Sequence, residues 1–393
     1  MSDEVVESDA PERIIRVAEP MTRFECNQKG CCCQGWKISF DADDTYDLIA
    51  ALPKEQQEGM LRGSRAYVDG ETQLCTHIQL KPVGPKGACR FLEGGGRCSI
   101  HATIGPQVLP NLCRVYPAFS YRTVGSTSCF SELHFDPVCP EVLERIDESD
   151  GPYEIVEIKA SSHRGIAERS VRSTVVPPVR IGDVELSFEE LAPFRETIIA
   201  AFNDRSTSAM DTLAWVSYAM SRLGDGSHPT ELRVEPVADI SAFHRYFDVC
   251  VSSHQGQVLS SFLRRYRRFI FAAELPEGSW DAAEEHLDYR PDWRDFLNPQ
   301  GPPFDGLIAR YLAHRFFDVF DPSRGDAHLN FRYRSVAHGL AAALRIAVGI
   351  GAWLDRPVDR PTLKVAIGVS EYFFRSVSDM RVGMPWFTPD FSG

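Results

Sequence analysis

The cysteines of this chain are gathered rather than spread. Ten of the eleven lie between Cys26 and Cys139, and only Cys250 follows. Thiols at that density either cross-link or bind metal. The residues from Met1 to Glu12 are acidic and polar, without the basic stretch and apolar core of an export signal. Disulfides belong to oxidising compartments, so a cytoplasmic setting is expected and metal binding becomes the leading chemistry. Cys250 sits in an apolar helical stretch, Phe243 to Val251, and reads as a small buried hydrophobe.

Two groups carry the signal. The first runs Phe24-Glu25-Cys26 and then Gly30-Cys31-Cys32-Cys33-Gln34-Gly35-Trp36. Successive side chains diverge in both helix and strand, so three adjacent cysteines face one ion only where the backbone turns, and Gly30 and Gly35 permit that turn. The second holds Cys89, the triple glycine Gly94-Gly95-Gly96, Cys98 and His101, followed by Cys113-Arg114-Val115-Tyr116-Pro117. Its glycines predict a tight turn that folds Cys98 back toward Cys89; the alternative, a phosphate loop, lacks its lysine. Cys75, Cys129 and Cys139 complete the set. Cys139-Pro140-Glu141 predicts a helix start, because proline suits the first turn, and a thiol there faces the positive helix end.

Thiolates from separate loops suit a closed zinc site or an iron–sulfur cluster, and ligand type does not separate the two. Zinc ribbons and fingers show two short knuckles, whereas here only Cys26 with Cys31 comes near and Cys89 to Cys98 is too wide. The C-x3-C-x2-C spacing of radical S-adenosylmethionine enzymes is absent. His77 and His101 lie beside cysteines but read as surface or hydrogen-bonding residues rather than ligands.

A pattern emerges from the order of these residues. Phe24, Cys26, Cys32, Cys33, Gly35 and Trp36 come first. Cys89, Phe91, Leu92, Cys98, Ser99 and Ile100 follow, then Cys113, Arg114, Tyr116 and Pro117, and last Cys139, Pro140 and Glu141. The order resembles the flagellin lysine N-methylases and, more distantly, the cysteine-cluster proteins described as zinc- or iron-chelating. A fainter likeness continues through Phe262 to Tyr266, Phe269 to Phe271 and the apolar stretch from Val336. The resemblance implies an iron–sulfur cluster, 4Fe–4S with zinc as the alternative, held by Cys26, Cys32, Cys33, Cys89, Cys98 and Cys113. It also implies S-adenosylmethionine as methyl donor and a protein substrate with an exposed lysine, flagellin-like or other. It identifies no catalytic residue and none that binds the donor. Two positions depart from the family pattern: Cys31 abuts the cysteine pair directly, and Ala118 stands where the family commonly has arginine. Cys31, Cys75, Cys129 and Cys139 stay unassigned.

Holding such thiols requires a folded frame, and 393 residues at 43% hydrophobic and 25% charged are enough to bury a sizeable core. The expected fold is mainly α: a loop-rich cysteine-cluster N-terminal domain followed by a mostly helical C-terminal domain. Along the chain this gives a flexible acidic tail over 1–20, the cysteine-rich metal domain over 21–150, a connection over 151–186 and the helical domain over 187–393. Tyr153 to Lys159 alternates like a strand. Ser187 and Glu190 form a capping box that opens a helix to about Phe202. Further helices are expected near Thr212 to Leu223, Ser241 to His254, Gln257 to Ala273, Pro303 to Phe320, Tyr333 to Leu354 and Arg360 to Ser378.

A net charge of −13 repels nucleic acid and anionic membranes, so neither is expected as a partner. The apolar stretch Val336 to Leu354 carries His338 and Arg345 and reads as a buried helix, not a membrane span. Arg264, Arg265, Arg267 and Arg268 read as a solvated helix face, with a dock for an acidic partner or for the carboxylate of S-adenosylmethionine as the sharper alternative. Gly349-Ile350-Gly351 lacks the third glycine of a dinucleotide fingerprint, and the motifs of zinc peptidases and serine hydrolases are missing. Two readings compete with methyl transfer: a structural zinc or iron protein with a helical interaction module, and an iron–sulfur redox protein.

Overall fold

The computed structural model describes residues 14–25, 33, 38–83, 88–93, 96–124, 129–149, 151–159, 172–174, 179–181, 184–237, 239–253, 304–319 and 329–378. Strand β1 (Ile14–Ala18) opens the described chain, with Ile15 and Val17 fully buried. A short antiparallel sheet follows from β2 (Ser39–Asp41), which leads into α1 (Ala42–Ala51) and α2 (Lys54–Arg62) before β3 (Ser64–Val68) and β4 (Cys75–Leu80). In that sheet β4 lies between β2 and β3, so Ile78 pairs with both Phe40 and Ala66. Asp41 caps α1 by accepting from the Asp44 backbone N–H at 2.7 Å, which satisfies a donor the helix start leaves open. The one-turn helices α3 (Ser99–Thr103) and α4 (Asn111–Val115) close this region.

The chain then returns to β1. Strands β5 (Ala118–Val124) and β6 (Cys129–Phe135) form a hairpin, α5 (Pro140–Glu148) follows, and β7 (Ile155–Lys159) and β8 (Arg172–Thr174) complete a mixed sheet ordered β7-β1-β6-β5-β8. β1 runs parallel to β6 with Val17 opposite Leu133, and antiparallel to β7 with Ile15 opposite Ile158. A small ribbon, β9 (Val179–Ile181) with β10 (Val184–Leu186), leads into the helices. These are α6 (Phe188–Asn203), α7 (Ala209–Gly224), α8 (Ser241–Ser253), α9 (Asp305–Val319), α10 (Leu329–Trp353) and α11 (Arg360–Ser378). The capping box is present: the Ser187 hydroxyl accepts from Glu190 N–H at 3.2 Å, and the Ser187 N–H donates to the Glu190 carboxylate at 2.7 Å. The fold is therefore mainly α, with a loop-rich cysteine region ahead of a mostly helical C-terminal part. No helix among the described residues is long and apolar enough to cross a membrane. The expected helix over Gln257 to Ala273, with its four arginines, lies outside the described residues.

Buried side chains divide along different lines from the segments read in the sequence. One small core holds Ile38, Phe40, Leu48, Leu52, Met60, Leu80, Phe91, Ile100 and Leu109. A second, larger core joins Ile15 and Val17 on β1, Phe135 on β6 and Ile146 on α5 to residues on α6 through α11, among them Phe194, Phe316, Leu340 and Ile367. The cysteine region is thus an insertion between two strands of a sheet that belongs to the larger core. Residues 14–18 are correspondingly not part of a tail. Their single charge is neutralised in place: Arg16 lies 2.7 Å from Glu196 and 3.6 Å from Glu132.

The larger core encloses charge. Arg195, with no exposed surface, donates twice to Glu132, at 2.7 and 2.9 Å. Its guanidinium lies between the rings of Phe188 and Phe317, 5.0 and 4.9 Å from their centroids. His134 stacks on Phe317 at 4.4 Å and reaches Glu132 at 3.4 Å. Burial pushes the Glu132 carboxyl up, but the Arg195 charge and the hydrogen bonds from His134 and Arg195 outweigh it and hold the group down at about 2.

Removing one partner leaves the other charge buried and alone. Arg195→Met is expected to lower unfolding free energy by roughly 3–5 kcal/mol, with much of the loss recovered in the Glu132→Leu/Arg195→Met double variant, as read from urea midpoints. Because the folded Glu132 value lies below its ordinary 4.5, its contribution is complete above that pH and drains away as pH falls toward about 2. The stability gap between wild type and Glu132→Gln should close over that window. A gap that is flat from pH 6 to pH 2 would contradict this account.

Candidate functional site

Of the six expected ligands, Cys33, Cys89, Cys98 and Cys113 fall among the described residues; Cys26 and Cys32, with the neighbouring Cys31, lie outside them. Cys33, Cys75, Cys89, Cys98, Cys113 and Cys139 are thiols, not disulfides. The turn that the glycines predict is present. Leu92 and Cys98 pair as an antiparallel bridge, the Ser99 N–H donates to Phe91 O at 2.7 Å, and the Glu93 N–H donates to Arg97 O at 2.9 Å. Gly96 completes the reversal with φ of +84°, a left-handed conformation that disfavours a side chain. On the other side, Val83 and Ala88 form a second bridge, so Cys89 stands at the junction of two reversals.

The remaining thiols are brought to this knuckle by separate contacts. Cys98 begins α3, where its carbonyl accepts from Ala102 N–H at 3.0 Å. Cys113 lies in α4, whose first N–H, that of Asn111, donates to Asp44 on α1 at 2.8 Å. Cys89, Cys98 and Cys113 all pack, partly buried, against the small apolar core. Cys33 joins them through its backbone: its carbonyl accepts from Cys89 N–H at 2.6 Å. Three half-buried thiols on one apolar patch, with a fourth tied to them through the main chain, are a donor set that suits zinc or an iron–sulfur centre. Among the described residues, no three of the histidines, cysteines and acids already form a group that could hold a metal ion.

Arg90, next to Cys89, is a residue that spacing did not single out. Its Nη1 is buried without a hydrogen-bond partner among the described residues, and a β-carbon added at Gly63 would fall 1.4 Å from it. The guanidinium therefore occupies the space that Gly63 leaves at the end of α2, pinning the knuckle to that helix. Only the fold reveals this, because the two residues lie on different elements.

The other cysteines are placed apart. Cys75 is exposed at the start of β4 with its Sγ 3.6 Å from His77 O. His77 is engaged elsewhere, stacked on Tyr67 at 4.3 Å. Cys139 precedes α5 as the helix cap, as its proline predicts, and packs against the larger core rather than the small one. Cys129 pairs in register with Val124 on the β5–β6 hairpin. Polar groups also lie deep in the helical part. Tyr311 donates to Glu371, which also contacts Arg315 Nε at 2.8 Å. Burial first, and then the Glu371 charge, push the Tyr311 hydroxyl well above its ordinary value, so it remains a donor.

No protein-family model matches the chain, and no curated protein or solved structure matches it. The arrangement predicts which thiols matter. Cys89→Ser, Cys98→Ser and Cys113→Ser should each lose most of the metal bound on anaerobic purification, whereas Cys75→Ser and Cys139→Ser should retain it, as counted by elemental analysis per chain. Equal retention in all five would remove the small core as the place of binding.

Proposed function

We propose that this chain is a cytoplasmic metalloprotein with a thiolate-held centre of iron–sulfur type, related in its motif order to flagellin lysine N-methylases, that transfers a methyl group from S-adenosylmethionine to a lysine of a protein substrate. One observation carries the metal centre: Cys89, Cys98 and Cys113 converge on a single apolar patch, with Cys33 bonded to Cys89 through the main chain. Transfer chemistry rests on the motif order alone. Cys33, Cys89, Cys98 and Cys113 would hold the group, with Cys26 and Cys32 completing the set implied by the resemblance. A bound centre of this kind supplies redox or Lewis-acid chemistry.

The contributions of the chain itself are binding and shielding. Half-buried thiols on apolar side chains keep bulk water from one side of the centre, and the two chain reversals fix the spacing of Cys89 and Cys98. A lysine accepts a methyl group only as the neutral amine, so the substrate side chain needs an environment that lowers its pKa, such as burial or nearby positive charge. The net charge of −13 suits a basic partner and disfavours nucleic acid.

Anaerobic purification, elemental and acid-labile sulfide analysis and a visible spectrum test the centre. About four iron and four sulfide per chain are expected for a 4Fe–4S cluster. Calorimetry with S-adenosylmethionine and mass spectrometry of a lysine-bearing protein substrate test the transfer, with a gain of one or more methyl groups expected. Zinc without sulfide, and no binding of the donor, would replace this proposal with a structural zinc site.

A further inference from the structure

Cys33 is the cysteine whose backbone meets that of Cys89, through the 2.6 Å hydrogen bond from Cys89 N–H to Cys33 O. One such bond, with the covalent geometry on either side of it, keeps the two Cα atoms within about 6.5 Å of each other, inside the span of about 4.4–6.8 Å that disulfides bridge. Cys98 has a different neighbour, since its backbone pairs with Leu92. Cys113 bonds through its own N–H to Pro110 O at 2.8 Å, in the first turn of α4. Both Cys33 and Cys89 are partly buried rather than enclosed, so a small oxidant reaches them.

We infer that Cys33 and Cys89 form a reversible disulfide when the chain lacks metal, so that oxidation locks the centre in an unloaded state. With hydrogen peroxide as oxidant, one thiolate attacks a peroxide oxygen, the O–O bond breaks, and a sulfenic acid and water result. The second thiol then attacks that sulfur, forming the S–S bond and releasing a second water. Two thiols are thereby oxidised by two electrons and one peroxide is reduced to two waters. The pairing stands on backbone geometry; its consequence for loading rests on the proposed metal centre. An oxidised pair withdraws two of the four described donors until a dithiol reductant restores them.

The test uses the full chain with Cys75→Ser, which keeps the exposed thiol from joining two molecules. Metal-loaded and chelator-stripped samples are treated with hydrogen peroxide, blocked with iodoacetamide and digested with trypsin without reduction. The stripped sample should yield Gly30–Lys37 joined to Gly87–Arg90, with fragment ions placing the bond on Cys33, a loss of two alkylatable thiols, and full recovery after dithiothreitol. A bond from Cys89 to Cys31, Cys32, Cys98 or Cys113, or no bond at all, overturns the inference. Equal cross-linking in loaded and stripped samples supports the pairing and counts against the metal centre at these residues, which separates the two ideas.

Discussion

The Glu132–Arg195 pair is the contact on which the rest of the molecule is arranged. Glu132 lies on the central strand β6, Arg195 on α6, and the guanidinium is sandwiched by Phe188 from the start of α6 and Phe317 from α9. Two charges removed from water are tolerated only with close geometry on all sides. Sheet and helices must therefore meet in one register for the pair to form. Further buried polar contacts follow the same seam. His314 on α9 bonds Phe135 O at 2.7 Å and Tyr153 at 2.8 Å, and Arg310 donates to Ile146 O at 2.7 Å. Each ties the helical part to the end of a strand or of α5, and each has a directional requirement that apolar packing lacks.

That fixed seam makes the cysteine insertion intelligible. The chain leaves the sheet after β1 and re-enters it at β5, so both ends of the inserted region are anchored on a rigid sheet. The insertion has only a small core, and small cores contribute little stability without a staple. A bound metal at the Cys89–Cys98 knuckle is a physical candidate for that staple, because metal binding to a site absent from the unfolded chain adds directly to folding. The larger core, by contrast, packs sheet against helices through extensive apolar burial. Metal loss would then loosen the insertion while leaving the larger core in place.

Much of the helical part was legible in the sequence because its cues are local. The capping box at Ser187, the proline after Cys139 and the 3.6-residue periodicity of the later helices act over one or two turns, and the observed bounds follow them closely. The knuckle was legible for the same reason: glycine permits the left-handed backbone that a tight reversal uses, and Gly96 adopts it. Less visible was β1, because its Arg16 finds its counter-charges, Glu132 and Glu196, only on the distant elements β6 and α6. Arg90 and Gly63 gave no signal, since steric fit between distant residues leaves no periodic trace.

By itself, the sequence determined that the thiols gather in one stretch of the chain, Cys26 to Cys139, and the local turns and caps that present Cys89, Cys98 and Cys139. Side-chain type and short-range backbone preference suffice for both. Which thiols share a surface was decided only by the tertiary structure. Cys89, Cys98 and Cys113 reach one apolar patch, Cys139 is drawn to another core and Cys75 stays exposed, because long-range burial and strand pairing, not spacing along the chain, set the distances between them.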